Sequence, residues 1–345
     1  MFDGKATPLR VAFLFIFLVQ YFHYSYSLSE VISLSRQPKH FDRRFKLVLL
    51  HPKYWASWLA IGLLVIFGLM PAWLRDPIAR LLAKMVMPIA KKPIRIARAN
   101  LNACFPDKST AEIEALIQQN VQNFVLVLLA QGELLVRSKA HLRRRVNLLG
   151  FEHVLKAQAA GQPIIFVMPH VWPIDYAGLR LNVELPMVTM AKAHKNGLFN
   201  WFSNRVRSSC GGHVYMREAG IRALLAELKR GNSFFYLPDE DLGPEQSVFA
   251  PFLGTVKATL PVVGRLAQAG NAQVLPVKIG YNQVTRRFDL TVMAAIAPED
   301  MQGKENEALA LNKVVEQVIL AYPEQYMWFL RVLKTRPEGE VSIYG

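Results

Sequence analysis

The chain has 345 residues, with 41 Lys or Arg against 26 Asp or Glu and a formal net charge of +15. A hydrophobic fraction of 52% and a mean hydropathy of +0.17 turn that basicity toward anionic lipid and acidic partners. Nucleic acid is disfavoured, because no recognition motif accompanies the charge. Two cysteines, Cys104 and Cys210, exclude a disulfide framework and a zinc cluster, and they suit a reducing, cytosol-facing compartment.

Residues 1–40 read as an N-terminal extension. Their apolar run at 11–22 follows Lys5 and Arg10 and is too short to span a bilayer. Ser25-Tyr26-Ser27 is a poor cleavage site for a leader. Residues 41–77 read as a membrane anchor. Within them, residues 54–74 carry no charge and are bordered by Tyr54, Trp55 and Trp58 at one end and Trp73 at the other. That pattern predicts one membrane-crossing helix, and basic residues on both flanks leave its direction open.

Pro71 and Pro77 punctuate the exit. Residues 78–101 alternate apolar positions with Arg80, Lys84, Lys91, Lys92, Arg95 and Arg98, as in an amphipathic helix pair resting on an anionic surface. Residues 78–345 read as one domain, expected to face the cytosol because its two cysteines suit a reducing compartment. Ser109-x-x-Glu112 is a capping box opening a helix to about residue 133, apolar after Phe124. Thereafter strands expected at 164–168, 233–237, 274–279 and 288–293 alternate with helices expected at 175–181, 221–229, 257–269 and 305–321. Such alternation predicts an α/β sheet flanked by helices, with active residues at strand C-terminal ends.

The chemistry centres on Pro169-His170-Val-Trp-Pro-Ile-Asp175. An apolar strand ends at a histidine, and a carboxylate follows in the next turn, as suits a general base held in one tautomer. The spacing itself is cheap, and His213-x4-Glu218 repeats it. Only His170 stands between a strand and a helix start, with Pro173 at the first helical position. A second acidic block, Asp239-Glu240-Asp241, also follows a strand and should reach the same sheet edge. Arg205, Arg207 and Arg217 precede it and could bind phosphate or carboxylate. No Gly-x-Ser-x-Gly elbow, dinucleotide fingerprint or P-loop occurs, and no metal or cofactor is called for. Cys210 is no better placed as a nucleophile than a structural cysteine.

With these residues in view, the chain resembles the late acyltransferases of lipid A biosynthesis, within the lysophospholipid acyltransferase superfamily. The matching blocks are Asn100-Leu101-x-x-Cys104-Phe105-Pro106, His170-x4-Asp175, Arg217-x-x-Gly220, Tyr236-x-Pro238-Asp239-x-Asp241-x-Gly243, Ser247-x-Phe249, Ala258-Thr259-x-Pro261, Pro323-Glu324-Gln325-Tyr326-x-Trp328 and Lys334-Thr335-Arg336-Pro337. They cover about residues 41–340 in order. Leu237-Pro238-Asp239 with Gly243-Pro244-Glu245 is closer to the myristoyl-adding branch than to the lauroyl-adding one.

The resemblance implies a mixed sheet like that of glycerol-phosphate acyltransferases, with an N-terminal membrane helix. It implies transfer of an acyl chain from acyl carrier protein to a hydroxyl on a 3-hydroxyacyl chain of a Kdo2-lipid A precursor, the last acylation. The setting would be the bacterial inner membrane, crossed once, with the catalytic domain toward the cytoplasm. His170 would take the hydroxyl proton and Asp175 would fix its tautomer. Arg207 would contact phosphate or carboxylate of the acceptor, Asp241 would order the site or bind sugar hydroxyls, and Asp239 and Arg217 would serve the substrate less directly. A glycerophospholipid acyltransferase would share His-x4-Asp, but its Phe-Pro-Glu-Gly-like block is missing. A non-enzymatic, membrane-anchored binder of anionic lipid is the alternative of a different class.

Overall fold

The computed structural model describes residue 41 and residues 43–345; the extension at 1–40, with its apolar run at 11–22, lies outside the described residues. The apolar segment expected as one helix through residue 74 is two. Helix α1, Trp55–Leu69, stops at Met70, whose extended backbone (ψ 143°) is what a following proline imposes. Pro71 then starts α2, Ala72–Val86, which contains Pro77. The basic stretch continues into α3, Lys91–Cys104, so the expected helix pair is present as α2 and α3. The capping box forms as read: Ser109 accepts from the Glu112 N–H while the Glu112 carboxylate accepts from the Ser109 N–H at 2.8 Å. It opens α4, Thr110–Ala130, whose apolar second half is core. Short helices α5, Glu133–Val136, and α6, Lys139–Arg145, lead into the sheet.

The rest alternates. Strand β1 (Val146–Leu149), α7 (Glu152–Ala159), β2 (Ile164–Val167), α8 (Ile174–Asn182), β3 (Met187–Ala191), α9 (Gly197–Arg207), β4 (His213–Met216), α10 (Gly220–Lys229) and β5 (Ser233–Tyr236) follow in turn. After them come the hairpin β6 (Val248–Phe252) and β7 (Thr255–Thr259), then α11 (Val263–Gly270), β8 (Gln273–Asn282), β9 (Arg287–Val292) and α12 (Lys304–Ala321). The helix expected at 257–269 begins only at Val263. Its first residues instead pair with β6 as β7, since Pro261 disfavours helical backbone at the residue before it and the run before it is rich in β-branched residues.

The seven-stranded sheet has the order β1-β9-β8-β2-β5-β3-β4. Strands β8, β2, β5, β3 and β4 run parallel, and β9 turns back against β8, carrying β1 with it. The sheet is therefore mixed, with helices packed around it. Strand β2 is wholly buried and lies beside β5, in register from Ile165↔Phe234 to Val167↔Tyr236. Whatever follows β2 and whatever follows β5 must therefore emerge side by side.

Candidate active site

Two residues beyond Met168 and two beyond Leu237, the loops after β2 and β5 present His170 and Asp239 to each other. One carboxylate oxygen of Asp239 accepts from His170 Nδ1 at 2.8 Å, and the other accepts from the His170 backbone N–H at 2.8 Å. Tyr326 Oη donates to that second oxygen at 2.9 Å. Asp239 is fully buried. Burial pushes its carboxyl up, but His170 and buried Lys257 more than reverse this and hold it below the usual carboxylate range. An ionised acceptor on Nδ1 fixes the proton there, so Nε2 is the nitrogen left to accept one.

The loop carrying His170 is tied down by the C-terminal segment. Met327 N–H donates to the His170 carbonyl at 2.9 Å, and Trp172 N–H donates to the Gln325 carbonyl at 2.9 Å. Two buried amides hold that segment in turn: Asn120 on α4 donates to the Tyr326 carbonyl at 2.7 Å, and Asn100 on α3 to the Trp328 carbonyl at 2.7 Å. The blocks around residues 100 and 323–328 thus converge behind the histidine.

His170 and Asp175 line one open cavity of about 130 Å³. Its walls are largely apolar, with Leu179, Met187, Met190, Phe235 and Leu237 among them, and Arg207, His194 and His213 supply polar groups. Asp175, in the first turn of α8, does not hold the imidazole as the spacing suggests. Its Oδ1 accepts from Arg207 Nε at 3.1 Å, and its Oδ2 from Gln131 Nε2 at 3.5 Å. The physical reason is the sheet: β2 and β5 are adjacent, so Asp239 reaches the imidazole first, while α8 turns Asp175 toward the C-terminal end of α9.

The remaining four expected residues fall in four places. Arg207 is at the cavity, paired with Asp175. Asp241 is buried, and its two oxygens accept from the N–H and hydroxyl of Thr335 at 2.6 and 2.7 Å, which pins the C-terminal block instead of facing a sugar. Arg217 ion-pairs with Glu240 and is not among the residues lining the cavity. Asp239, expected to serve the substrate, is buried, does not line the cavity and hydrogen-bonds His170 with both oxygens.

Sequence reading missed three participants. His194 follows β3, a strand without a marked sequence signal. Burial and the neighbouring Arg207 push its imidazole down to about 4, so it is neutral at pH 7. Tyr326 belonged to a noted block but carried no assigned role. Lys257 is a wholly buried ammonium on β7 whose charge opposes Asp239, Asp241 and Glu240, and burial lowers its pKa. Burial raises both thiols, Cys104 to about 12, so neither is a thiolate nucleophile.

Comparison with known proteins gives a consistent set of matches. Residues 42–335 match the family model for the bacterial lipid A biosynthesis acyltransferase. A lipid A biosynthesis acyltransferase of Haemophilus influenzae is 36% identical over 301 residues, covering 87% of this chain and 94% of that one. A lipid A biosynthesis myristoyltransferase of Escherichia coli is 34% identical over 307 residues, 88% of this chain and 93% of that one. A crystal structure of the 1-acyl-sn-glycerophosphate acyltransferase PlsC from Thermotoga maritima superposes with a TM-score of 0.36 at 14% identity, over 72% of this chain and 97% of that one.

Proposed function

This chain belongs to the bacterial lipid A biosynthesis acyltransferases and is an acyltransferase, and from that premise we propose which acyl transfer it performs. A fatty acyl chain, myristoyl or one of similar length, passes from acyl carrier protein to a hydroxyl on a 3-hydroxyacyl chain of a Kdo2-lipid A precursor, as the last acylation. The reaction takes place at the inner membrane, with the catalytic domain toward the cytoplasm. The observation that carries the reading is the His170–Asp239 pair at the wall of an apolar cavity. A base with one free nitrogen beside a greasy pocket suits a hydroxyl nucleophile on a lipid.

His170 Nε2 takes the proton of the acceptor hydroxyl as its oxygen attacks the thioester carbonyl. Asp239 stabilises the imidazolium that forms and keeps the ring from flipping. Collapse of the tetrahedral intermediate breaks the carbon–sulfur bond, and the imidazolium returns its proton to the departing thiolate. No acyl-enzyme is needed. Arg207, paired with Asp175 at the cavity wall, brings its guanidinium charge to phosphate or carboxylate of the acceptor. The 34% identity to a myristoyltransferase supports the chain length.

The test is direct. Purified full-length protein is given myristoyl-acyl carrier protein and a penta-acylated Kdo2-lipid A precursor, and the lipid is weighed by mass spectrometry. A gain of one myristoyl mass that vanishes in His170→Ala is expected. Folded protein that leaves the precursor unchanged, beside an active control enzyme, rejects the reading.

A further inference from the structure

We propose that α1 lies along an anionic bilayer surface within one leaflet, and does not cross the membrane. Trp55, Leu59, Leu63, Ile66 and Leu69 are 38–68% exposed, and their three- and four-residue spacing gathers them on one stripe. Helix α2 adds exposed Trp73, Leu81 and Met85. The other side of α1 (Ser57, Ala60, Ile61, Leu64 and Gly68) is buried against the protein.

That buried side is fastened along its whole length. Near the N-terminus, Asn196 Nδ2 donates to Ser57 Oγ at 2.9 Å, and Trp58 Nε1 donates to the Leu49 carbonyl at 2.8 Å. At the C-terminus, Arg137 Nη2 donates to the Leu69 carbonyl at 2.7 Å. Between them, α1 meets the chain at Gly132 so closely that a Cβ there would lie 1.7 Å from the Leu64 carbonyl oxygen. A helix clamped lengthwise to the catalytic body cannot stand across a bilayer unless that body crosses too. By length and apolarity alone the continuous helical stretch Pro52–Leu69 is enough to cross a bilayer; its lengthwise packing on the body is what argues against crossing.

The partner is an anionic lipid surface because exposed cations accompany the stripe on the same run of helices. Lys53, Arg80, Lys84, Lys91 and Lys92 are all exposed on α1's approach and on α2 and α3, the pattern of a helix seated in the headgroup region. One consequence links docking to chemistry. Leu64 of α1, with Leu128, Phe199, Phe202 and Val206, lines a small apolar gap of about 20 Å³ that reaches Asp175. The inference rests on packing and charge and is independent of the acyl group transferred.

Full-length protein with Cys104→Ala and Cys210→Ser receives single cysteines at positions 55, 59, 63, 66 and 69, each spin-labelled and reconstituted into phosphatidylglycerol–phosphatidylethanolamine vesicles. Power saturation is expected to place all five labels at one shallow depth. A profile deepest at position 63 and rising to the interface at both ends means the helix crosses, and overturns the proposal; labels that sense no lipid overturn it as well. In a second measurement, Lys53→Cys and Trp73→Cys are expected to react with a membrane-impermeant maleimide from the same side as Glu218→Cys. Reaction of the first two from opposite sides overturns the proposal. Phosphatidylcholine vesicles should bind the protein more weakly than anionic ones, and equal binding refutes the anionic partner.

Discussion

Asp239 uses one carboxylate oxygen on the His170 ring and the other on the His170 backbone, so it sets tautomer and position together. In Asp239→Asn an amide replaces the anion, and the imidazolium loses its counter-charge. We expect kcat to fall about 10²–10⁴-fold with the KM for the acyl donor little changed, as read from steady-state kinetics on protein that keeps its thermal transition. His170→Ala should lose a comparable factor and His213→Ala should stay active; the reverse result would move the base to His213. His170 was legible because an apolar strand, a proline and a helix start enclose it. Its partner was not, because Asp239 is 69 residues away and only the adjacency of β2 and β5 joins them. Local spacing pointed instead to Asp175, which the structure gives to Arg207.

Between elements, a buried charge cluster binds the N-terminal helices to the sheet. Glu133 on α5 ion-pairs with Arg75 on α2, and its Oε2 lies 2.8 Å from Arg145 Nε at the end of α6. Asp76 accepts from Tyr281 on β8 at 2.6 Å. Burial alone would raise the Glu133 carboxyl, but His141, Arg145 and Arg75 together bring it from 4.5 down to about 2. A depressed acid adds stability that is complete above about pH 4.5 and is lost as pH falls toward 2, roughly 3 kcal/mol over that window. The melting temperature should therefore drop across it. Glu133→Gln should flatten that drop while costing about 3–5 kcal/mol at neutral pH, because two guanidinium groups lose their buried counter-charge. A variant as acid-sensitive as the parent would place the titration elsewhere. The sequence showed the capping box of α4, the helix pair α2–α3 and, as apolar runs, the strands β2, β5, β8 and β9; it did not show β1, β3 or the β6–β7 hairpin. It did not show that Arg75 and Asp76 are internal, since a charge pair just after an apolar run reads as an exit to water.

Across the whole molecule, the net charge of +15 is carried largely on the surface, because the buried charges nearly cancel: Asp76, Glu133, Glu227, Asp239, Asp241 and Glu307 are buried, but so are Arg75, Arg145, Arg180 and Lys257. One consequence is docking on anionic lipid; another concerns the proposed acidic donor. Long-range attraction raises the encounter rate and is screened by salt, whereas chemistry inside the cavity is not. Between about 0.01 and 0.15 M salt the Debye length shrinks from about 30 to about 8 Å. With acceptor held constant in detergent micelles, kcat/KM for acyl carrier protein should fall several-fold over that range, while kcat at saturating donor stays level. The same measurement with a neutral acyl thioester of the carrier's prosthetic arm alone should show no such slope. If both donors respond alike, the charge acts on the acceptor, where Arg207 is the cation at the cavity wall, and not on the carrier.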